Sequence, residues 1–365
     1  TEVVTKEVIA PTGRGGMVVK TGVATDYRTQ DLFGYLVEED RLVSLYDFVN
    51  KKGIFPDVAP DERFCLLTTT GSSSSTAEVQ FSFYSESLEE MRDENKRYTL
   101  TTDQISKINP NTKSCPIFRS QQDRDITVSL YDQFPVIWNE EASSNPWGIS
   151  YHRMVDLSTD SGLFEDNKKE ELEEAGFSLD KNIFKRDKDK YYPLYEAKFI
   201  QQFDHRFGTF EGIERENRFI RRASTNTPTY DQKSDPEFEV IPRYWVSEDD
   251  FDDVTDSIEW DEDWVFSFRD IARVTSDSRT AMGTICPYYP FGNTAPILTF
   301  SGDDLERRAL LFTSLYTSFV FDYALRQSMG GTHVNLYILK QLPMPDPEEL
   351  DEYHVHKENG VRSAS

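Results

Sequence analysis

The segment that decides the fold is Leu42-Val43-Ser44-Leu45-Tyr46-Asp47-Phe48, a short apolar run that ends at the turn residues Asn50–Gly53. Such a run is typical of a buried strand. Working outward, Met17–Val19 predicts another buried strand, Asp31–Glu39 a helix, and Phe64–Thr69 a further strand. Strand, helix, strand and strand within about 70 residues indicate an α/β protein that carries the second half of a doubly wound sheet. Half a sheet cannot bury both faces, so we expect its first half upstream of this chain.

Composition limits the class of protein. The chain has 365 residues, of which 37% are hydrophobic and 13% aromatic, enough to bury the core of two domains or one large one. No apolar run approaches about 18 residues, so we expect no membrane partner. Three widely spaced cysteines, Cys65, Cys115 and Cys286, argue for a reducing compartment and against a zinc site. The expected location is the cytoplasm.

The charge is strongly acidic. Formal net charge is −25, from 65 acidic and 40 basic side chains. This excess is typical of a halophilic protein, because a high net charge resists association in concentrated salt. It opposes nucleic-acid binding, which basic residues drive by releasing counterions. A strongly acidic chain can still bind nucleic acid if its acids lie on solvated faces and its arginines line one cleft.

The pattern along the chain changes after residue 75. We predict that residues 1–75 end an α/β domain, that 76–345 form a mixed α+β domain, and that 346–365 are a disordered acidic tail. The last predicted element of the second domain is a long helix over Asp303–Met329. A capping box of Ser301 and Asp304 would begin it, and Gly330-Gly331 would end it.

Common catalytic motifs are missing from the sequence. It has no GxGxxG, Walker loop, HExxH, CxxC or GxSxG pattern. The one histidine pair at ligand spacing, His354 and His356, lies in the predicted tail, where a solvated role is favoured over a metal role. Composition and spacing alone therefore identify no active site.

Three blocks, in order along the chain, carry a resemblance to a known family. The first runs from Gly13-Arg14-Gly15-Gly16 through Gly53-Ile54-Phe55-Pro56 to Arg63–Leu67, and it resembles the later strands of an N6-adenine DNA methyltransferase of the γ arrangement. The second, Pro193–Lys198 with Gln202–Arg206, resembles the LYxGK stretch of large type II restriction–modification methylases. The third, Leu305–Pro345, is similar to the end of a TaqI-type specificity domain. The resemblance implies a Rossmann-like methyltransferase sheet followed by a target-recognition domain.

The departures from the family are as informative. The catalytic (Asn/Asp)-Pro-Pro-(Tyr/Phe) motif and the glycine-rich loop for S-adenosylmethionine are missing, and Asn145-Pro146-Trp147 is only a partial string. Ala197 also replaces the glycine of LYxGK. The resemblance then implies that cofactor and catalysis belong to an N-terminal catalytic half or a partner methylase subunit, and that this chain binds double-stranded DNA but is inactive alone. A nuclease could also be fused upstream. A split specificity subunit and a complete enzyme of unrelated type stay open as alternatives.

Candidate site residues follow from the resemblance and from local clusters. Phe55 matches the family position that stacks on the flipped target base, although it could equally be a loop-packing aromatic. His333 and Asn335 could contact DNA or hold the turn before the last segment. The candidate DNA-binding residues, each of which could instead pair with a nearby acid, are Lys198, His205, Arg206, Arg215, Arg218, Arg222, Arg269, Arg273 and Arg279.

Overall fold

A computed structural model of the chain describes residues 1–220, 223–273, 277–329 and 332–350. The protein is mixed α/β with three sheets. It divides into two compact units, Thr1–Pro146 with Tyr337–Ser365 (unit 1) and Trp147–Leu336 (unit 2). Within the described ranges, no helix is long and apolar enough to cross a membrane.

Over residues 1–146, unit 1 contains one five-stranded sheet and five α-helices. Its strands are β1 (Arg14–Lys20), β2 (Leu42–Val49), β3 (Arg63–Thr70), β4 (Glu78–Ser85) and β5 (Arg97–Thr101). Its helices are α1 (Gly22–Thr25), α2 (Gln30–Glu38), α3 (Leu88–Arg92), α4 (Thr102–Ile108) and α5 (Gln121–Gln133). The predicted helix near Asp31–Glu39 and the predicted strands at Leu42–Phe48 and Phe64–Thr69 are confirmed.

The sheet of unit 1 has the strand order β1-β3-β2-β4-β5. β3 is antiparallel to both of its neighbours, so β1 and β2 run in the same direction on either side of it. β2 and β4 pair in parallel, and β5 is antiparallel to β4. The sheet is therefore mixed, and helices α2, α4 and α5 pack with it in one core. That core includes Phe33, Leu36, Leu45, Leu67, Phe81, Leu100, Ile105, Val128 and Tyr131.

Two details of unit 1 differ from the sequence-based expectation. The strand around Met17–Val19 is not buried, because β1 lies at the edge of the sheet and Val18 is exposed. The predicted boundary after residue 75 falls inside one sheet, since β4 and β5 continue it. The assignment of residues 76–345 to target recognition stays a prediction. The predicted disordered tail is residues 346–365, of which those from 351 onward lie outside the described residues.

Unit 2 contains two four-stranded antiparallel sheets. Its strands are β6 (Ile149–His152), β7 (Ser178–Asp180), β8 (Ile183–Arg186), β9 (Asp189–Pro193), β10 (Trp245–Ser247), β11 (Trp264–Phe268), β12 (Gly283–Pro287) and β13 (Ile297–Phe300). Its helices are α6 (Lys169–Glu174), α7 (Arg215–Arg218), α8 (Tyr230–Ser234), α9 (Glu248–Thr255), α10 (Leu305–Tyr316) and α11 (Phe319–Ser328), and α12 (Leu336–Leu339) follows at the unit border. The sheet orders are β12-β11-β13-β6 and β10-β9-β8-β7. The core is rich in aromatic rings, among them Trp147, Tyr195, Phe199, Phe210, Trp245 and Tyr316.

The predicted long helix over Asp303–Met329 is wrong in two respects. It is broken into α10 and α11, because the Ser318 side chain accepts the Phe321 N–H and starts a second helix. The capping box is absent as well. Asp304 has a left-handed backbone with φ of 53°, and the Ser301 hydroxyl donates to the Gly148 carbonyl instead. The predicted stop at Gly330-Gly331 lies outside the described residues.

Candidate functional site

The carboxyl ends of three strands meet at one edge of the unit 1 sheet, because β1, β2 and β4 run in the same direction. Open α/β sheets commonly bind ligands outside such an edge. We call this region the carboxyl edge. It comprises Thr21 after β1, Asp47–Ala59 at the end of β2, Arg63 at the start of β3, and Tyr84 in β4.

Asp47 ties these strand ends together. Its side chain is fully buried. The Thr21 hydroxyl donates to Oδ1 at 2.5 Å, and the Tyr84 N–H donates to Oδ2 at 2.9 Å. Arg63 donates Nε to Oδ1 at 3.2 Å and Nη2 to Oδ2 at 2.8 Å. Both carboxylate oxygens are therefore engaged by the protein itself, as a buried charge requires.

The Tyr84 ring is in contact with two guanidinium groups. The Arg63 and Arg119 carbons lie 4.4 Å and 4.7 Å from the centre of its ring, within the range of cation–π attraction. Tyr84 has a φ of 57°, a left-handed conformation that costs an aromatic residue free energy. Arg119 is exposed, so this cluster presents a cation at the surface.

Phe55 lies in the loop after β2, and its backbone is held by a buried side-chain amide. Asn50 Nδ2 donates to the carbonyls of Phe55 and Val58 at 2.9 Å and 2.8 Å, and the Phe55 N–H donates to Asn50 Oδ1 at 2.9 Å. The Phe55 ring packs edge-on against Phe64, with centroids 4.8 Å apart, and Phe64 stacks on Phe48. Phe55 is 40% exposed. A fixed backbone and a half-exposed ring on an aromatic pair suit a stacking role.

In unit 2 the segment Gln201–Phe207 forms a tight turn anchored by hydrogen bonds. Gln201 and Asp204 exchange backbone hydrogen bonds of 2.7 Å and 3.1 Å, which close the turn. The Arg206 guanidinium donates to three carbonyls, of Lys233, Asp235 and Phe238. Upstream, Ala197 starts a 3-10 turn and needs no left-handed backbone, so alanine is accommodated where the family has glycine.

His205 is a half-buried histidine next to this turn. Its ring stacks on Tyr195, with Nδ1 3.3 Å from the Tyr195 hydroxyl. Burial, reinforced by the nearby Arg206 charge, lowers the pKa of His205 to about 4. At neutral pH His205 is therefore uncharged, and a DNA contact through it would be a hydrogen bond and not a cation–phosphate pair.

His205 makes stability depend on pH. Its pKa is about 4 in the fold and about 6.5 when unfolded, so only the unfolded chain gains a proton between these values. Above pH 6.5 the neutral His205 does not lower the free energy of unfolding. As the pH falls from 6.5 towards 4, protonation of the unfolded chain lowers that free energy by roughly 3 kcal/mol. The free energies of unfolding of the native chain and of His205→Gln are measured at each pH. The difference between them should shrink as the pH falls from 6.5 towards 4. A constant difference would contradict the prediction.

Four predicted DNA-binding cations make contacts within unit 2. The Lys198 ammonium donates to the Ala223 carbonyl at 2.8 Å, and burial lowers its pKa. Arg215 pairs with Glu170 and Glu171, and Arg218 with Glu170 and the Ile213 carbonyl. Arg269 donates to the Ile200 carbonyl at 2.5 Å and lies over the Phe207 ring. These contacts fit a role in the fold, and a role in DNA binding stays a prediction.

The remaining predicted cations differ in exposure. Arg279 donates to the Thr317 carbonyl and lies 4.6 Å from the centre of the Phe319 ring, which is itself 79% exposed. Arg273 is exposed, and within the part of the chain that the structure describes its guanidinium has no partner. Arg222 lies outside the described residues.

His333 takes part in a polar cluster around the buried Asp270. Its Nδ1 lies 3.0 Å from Oδ2 of the buried Asp270, to which Arg153 also donates at 3.3 Å. The Val334 N–H donates to the Asp270 carbonyl, which ties this segment to the end of β11. This favours the structural role among the two expected for His333. Asn335 is half-buried beside it. Among residues 1–350, apart from the undescribed gaps, no group of three or more potential ligands could hold a metal; His354 and His356 lie outside the described residues.

Sequence reasoning missed the residues that organise both regions. Asp47 was treated only as part of an apolar run. Its position inside a predicted buried strand could have indicated that it organises the site, because a lone buried acid requires partners. Asn50 was recognised only as a turn residue. Tyr84 and Phe203 are the two aromatic residues among the eight non-glycine positions with positive φ in the described ranges. Backbone conformation of this kind leaves no signal in residue type.

No protein-family model matches the chain, and no curated protein matches it in sequence. Among solved structures, it is similar to the type IIG restriction endonuclease BpuSI, with 13% identity, a TM-score of 0.33, and coverage of 97% of this chain and 43% of that one. It is also similar to the ATP-dependent Type ISP restriction–modification enzyme LlaBIII bound to DNA, with 11% identity, a TM-score of 0.23, and coverage of 46% and 12%. The chain therefore spans less than half the length of either enzyme, and the similarity is distant.

Proposed function

We propose that this chain is the DNA-recognition part of a site-specific adenine-N6 DNA methyltransferase of a restriction–modification system, and that it helps to hold the flipped adenine. The observation that carries the proposal is the presentation of Phe55. Chemistry on a base inside a duplex requires the base to leave the stack, and an aromatic ring offsets part of the unstacking cost. Phe55 has such a ring, half-exposed and fixed at the carboxyl edge by Asn50 and Phe64.

The proposal assigns cofactor and catalysis to another segment. The carboxyl edge has one buried acid, Asp47, and its two oxygens are already engaged by Thr21, Arg63 and Tyr84. Asp47 is therefore not free to recognise the polar groups of S-adenosylmethionine. We therefore expect the cofactor to be held by an N-terminal catalytic half or by a partner methylase.

A selection experiment tests this function. The chain, supplied with a catalytic half as a fusion or as a separate subunit, is incubated with a pool of randomised DNA duplexes and S-adenosylmethionine. We expect one adenine-containing sequence to be enriched on the complex and methylated there. The chain alone should retain the same sequence without methylating it. A pool that emerges unenriched with and without the catalytic half would refute the proposal.

The Phe55 ring is expected to matter for base flipping. With 2-aminopurine in place of the target adenine, Phe55→Ala should abolish the fluorescence rise on binding. On the unmodified adenine duplex it should slow methylation by roughly 10- to 100-fold, because a stacking contact of about 1–3 kcal/mol is lost. The matched control is Val58→Ala, which removes another exposed apolar side chain from the same loop. If Phe55→Ala behaves like Val58→Ala, the ring only packs the loop.

A further inference from the structure

An exposed aromatic side chain stands at the tip of the Gln201–Asp204 turn in unit 2. Gln202 and Phe203 are its two central residues, and Phe203 has a φ of 57°. A turn with positive φ at this position normally takes glycine or asparagine, because a larger side chain is strained there. Phe203 is nevertheless 64% exposed, so burial of its ring does not offset the strain.

The turn cannot relax easily, because its neighbours hold it from several sides. The Phe203 N–H donates to the Gly283 carbonyl at 3.3 Å, and the Gln202 side-chain amide donates to the Ala281 carbonyl at 3.4 Å. Arg269 binds the Ile200 carbonyl just before the turn, and His205 stacks on Tyr195 just after it. The ring is thus presented on a rigid support.

The charges around the turn are mixed, in contrast to the strongly acidic chain as a whole. The turn has one acid, Asp204, which pairs with Lys233 at 2.5 Å and accepts the Arg206 N–H at 2.8 Å. Arg206 and Arg269 bind backbone carbonyls beside it. Glu239 interacts electrostatically with Arg206, and Asp277 with Arg269. In a chain of net charge −25 the turn therefore lies in a patch of mixed charge, where a polyanionic partner meets less repulsion.

We propose that Phe203 is a wedge that inserts between two base pairs of the duplex bound by unit 2. This proposal rests on the function proposed above. Rigidly held apolar side chains act in this way, partly unstacking a step and kinking the DNA. A single ring on a narrow turn suits a gap between two base pairs. Backbone strain that folding does not need is retained where it serves a function.

The test uses glycine substitution, which separates this role from a structural one. In Phe203→Gly the strain is relieved, so the chain should melt at the same temperature or about 2–4 °C higher. Its affinity for the duplex enriched from the randomised pool should fall roughly 10- to 100-fold. The rise in end-to-end energy transfer that reports bending of a doubly labelled duplex should be lost. Phe203→Asn, which also tolerates a left-handed backbone, should give the same result.

The matched control is Asp187→Gly, which relieves a left-handed residue with φ of 54° in the turn between β8 and β9. It should change neither affinity nor bending. If both Phe203 variants bind and bend the duplex like the native chain, the wedge is refuted while the proposed function stands. If binding falls only together with melting temperature, the role is structural and the wedge is also refuted. If the native chain binds no duplex, both proposals fail.

Discussion

Asp47→Ala is expected to lower the free energy of unfolding of unit 1 by about 3–5 kcal/mol, the usual cost of breaking a buried ion pair from one side. The substitution leaves the Arg63 guanidinium, the Thr21 hydroxyl and the Tyr84 N–H without their shared acceptor. It also releases three strand ends from one another, since these donors follow β1, start β3 and lie in β4. The gain from placing a methyl group there is small in comparison.

Hydrogen exchange of the amides in β2, β3 and β4, together with denaturant unfolding, measures this loss within unit 1. Asp132→Ala is the control, because its carboxylate pairs with Lys107 with both side chains about half exposed, and such pairs contribute under about 1 kcal/mol. Asp47→Asn keeps one acceptor, so its loss in free energy of unfolding should lie between those of Asp47→Ala and Asp132→Ala. An Asp47→Ala variant as stable as Asp132→Ala would show that the cluster does not hold the edge together.

Sequence patterns predicted the elements of unit 1 that depend on local apolar spacing. β2 and β3 follow from short apolar runs between turn residues, and α2 follows from its one-sided apolar face. These features are local, so residue type and spacing suffice. The exposure of β1 could not be obtained in this way, because an edge strand and a central strand can have the same apolar letters and differ only in how many neighbours pair with them.

Contacts between distant residues were beyond sequence reasoning. Asp47 is bonded to residues 16, 26 and 37 positions away, and no spacing rule connects them. The break between α10 and α11 depends on Ser318, which could continue one helix or cap the next, and the sequence does not show which. For the candidate cations, residue type indicated an affinity for phosphate. It could not indicate that Arg206 and Arg269 are directed at carbonyl groups of their own chain.

Arg243→Ala is expected to destabilise unit 2 by about 3–5 kcal/mol. Glu196, whose side chain is only 4% exposed, accepts Arg243 Nε at 2.7 Å and Nη2 at 2.8 Å in a bidentate pair. The Lys198 ammonium lies 3.8 Å from the same carboxylate and donates to the Ala223 carbonyl, so it compensates only part of the lost guanidinium. Glu196 belongs to the stretch that leads into the Gln201–Asp204 turn, so weakening its pairing should loosen the support of Phe203 as well.

A graded series identifies the ion pair as the cause. Arg243→Lys keeps the charge but loses the second hydrogen bond, so its destabilisation should be smaller than that of alanine. Adding Glu196→Gln to Arg243→Ala removes the stranded charge and should recover part of the loss, because most of the penalty comes from the uncompensated carboxylate. Arg215→Ala, which breaks an exposed pair with Glu171, should cost under about 1 kcal/mol. If the double variant is no more stable than Arg243→Ala, the contacts of the Arg243 guanidinium with the Phe210 and Tyr244 rings, and not its pairing with Glu196, stabilise this part of unit 2.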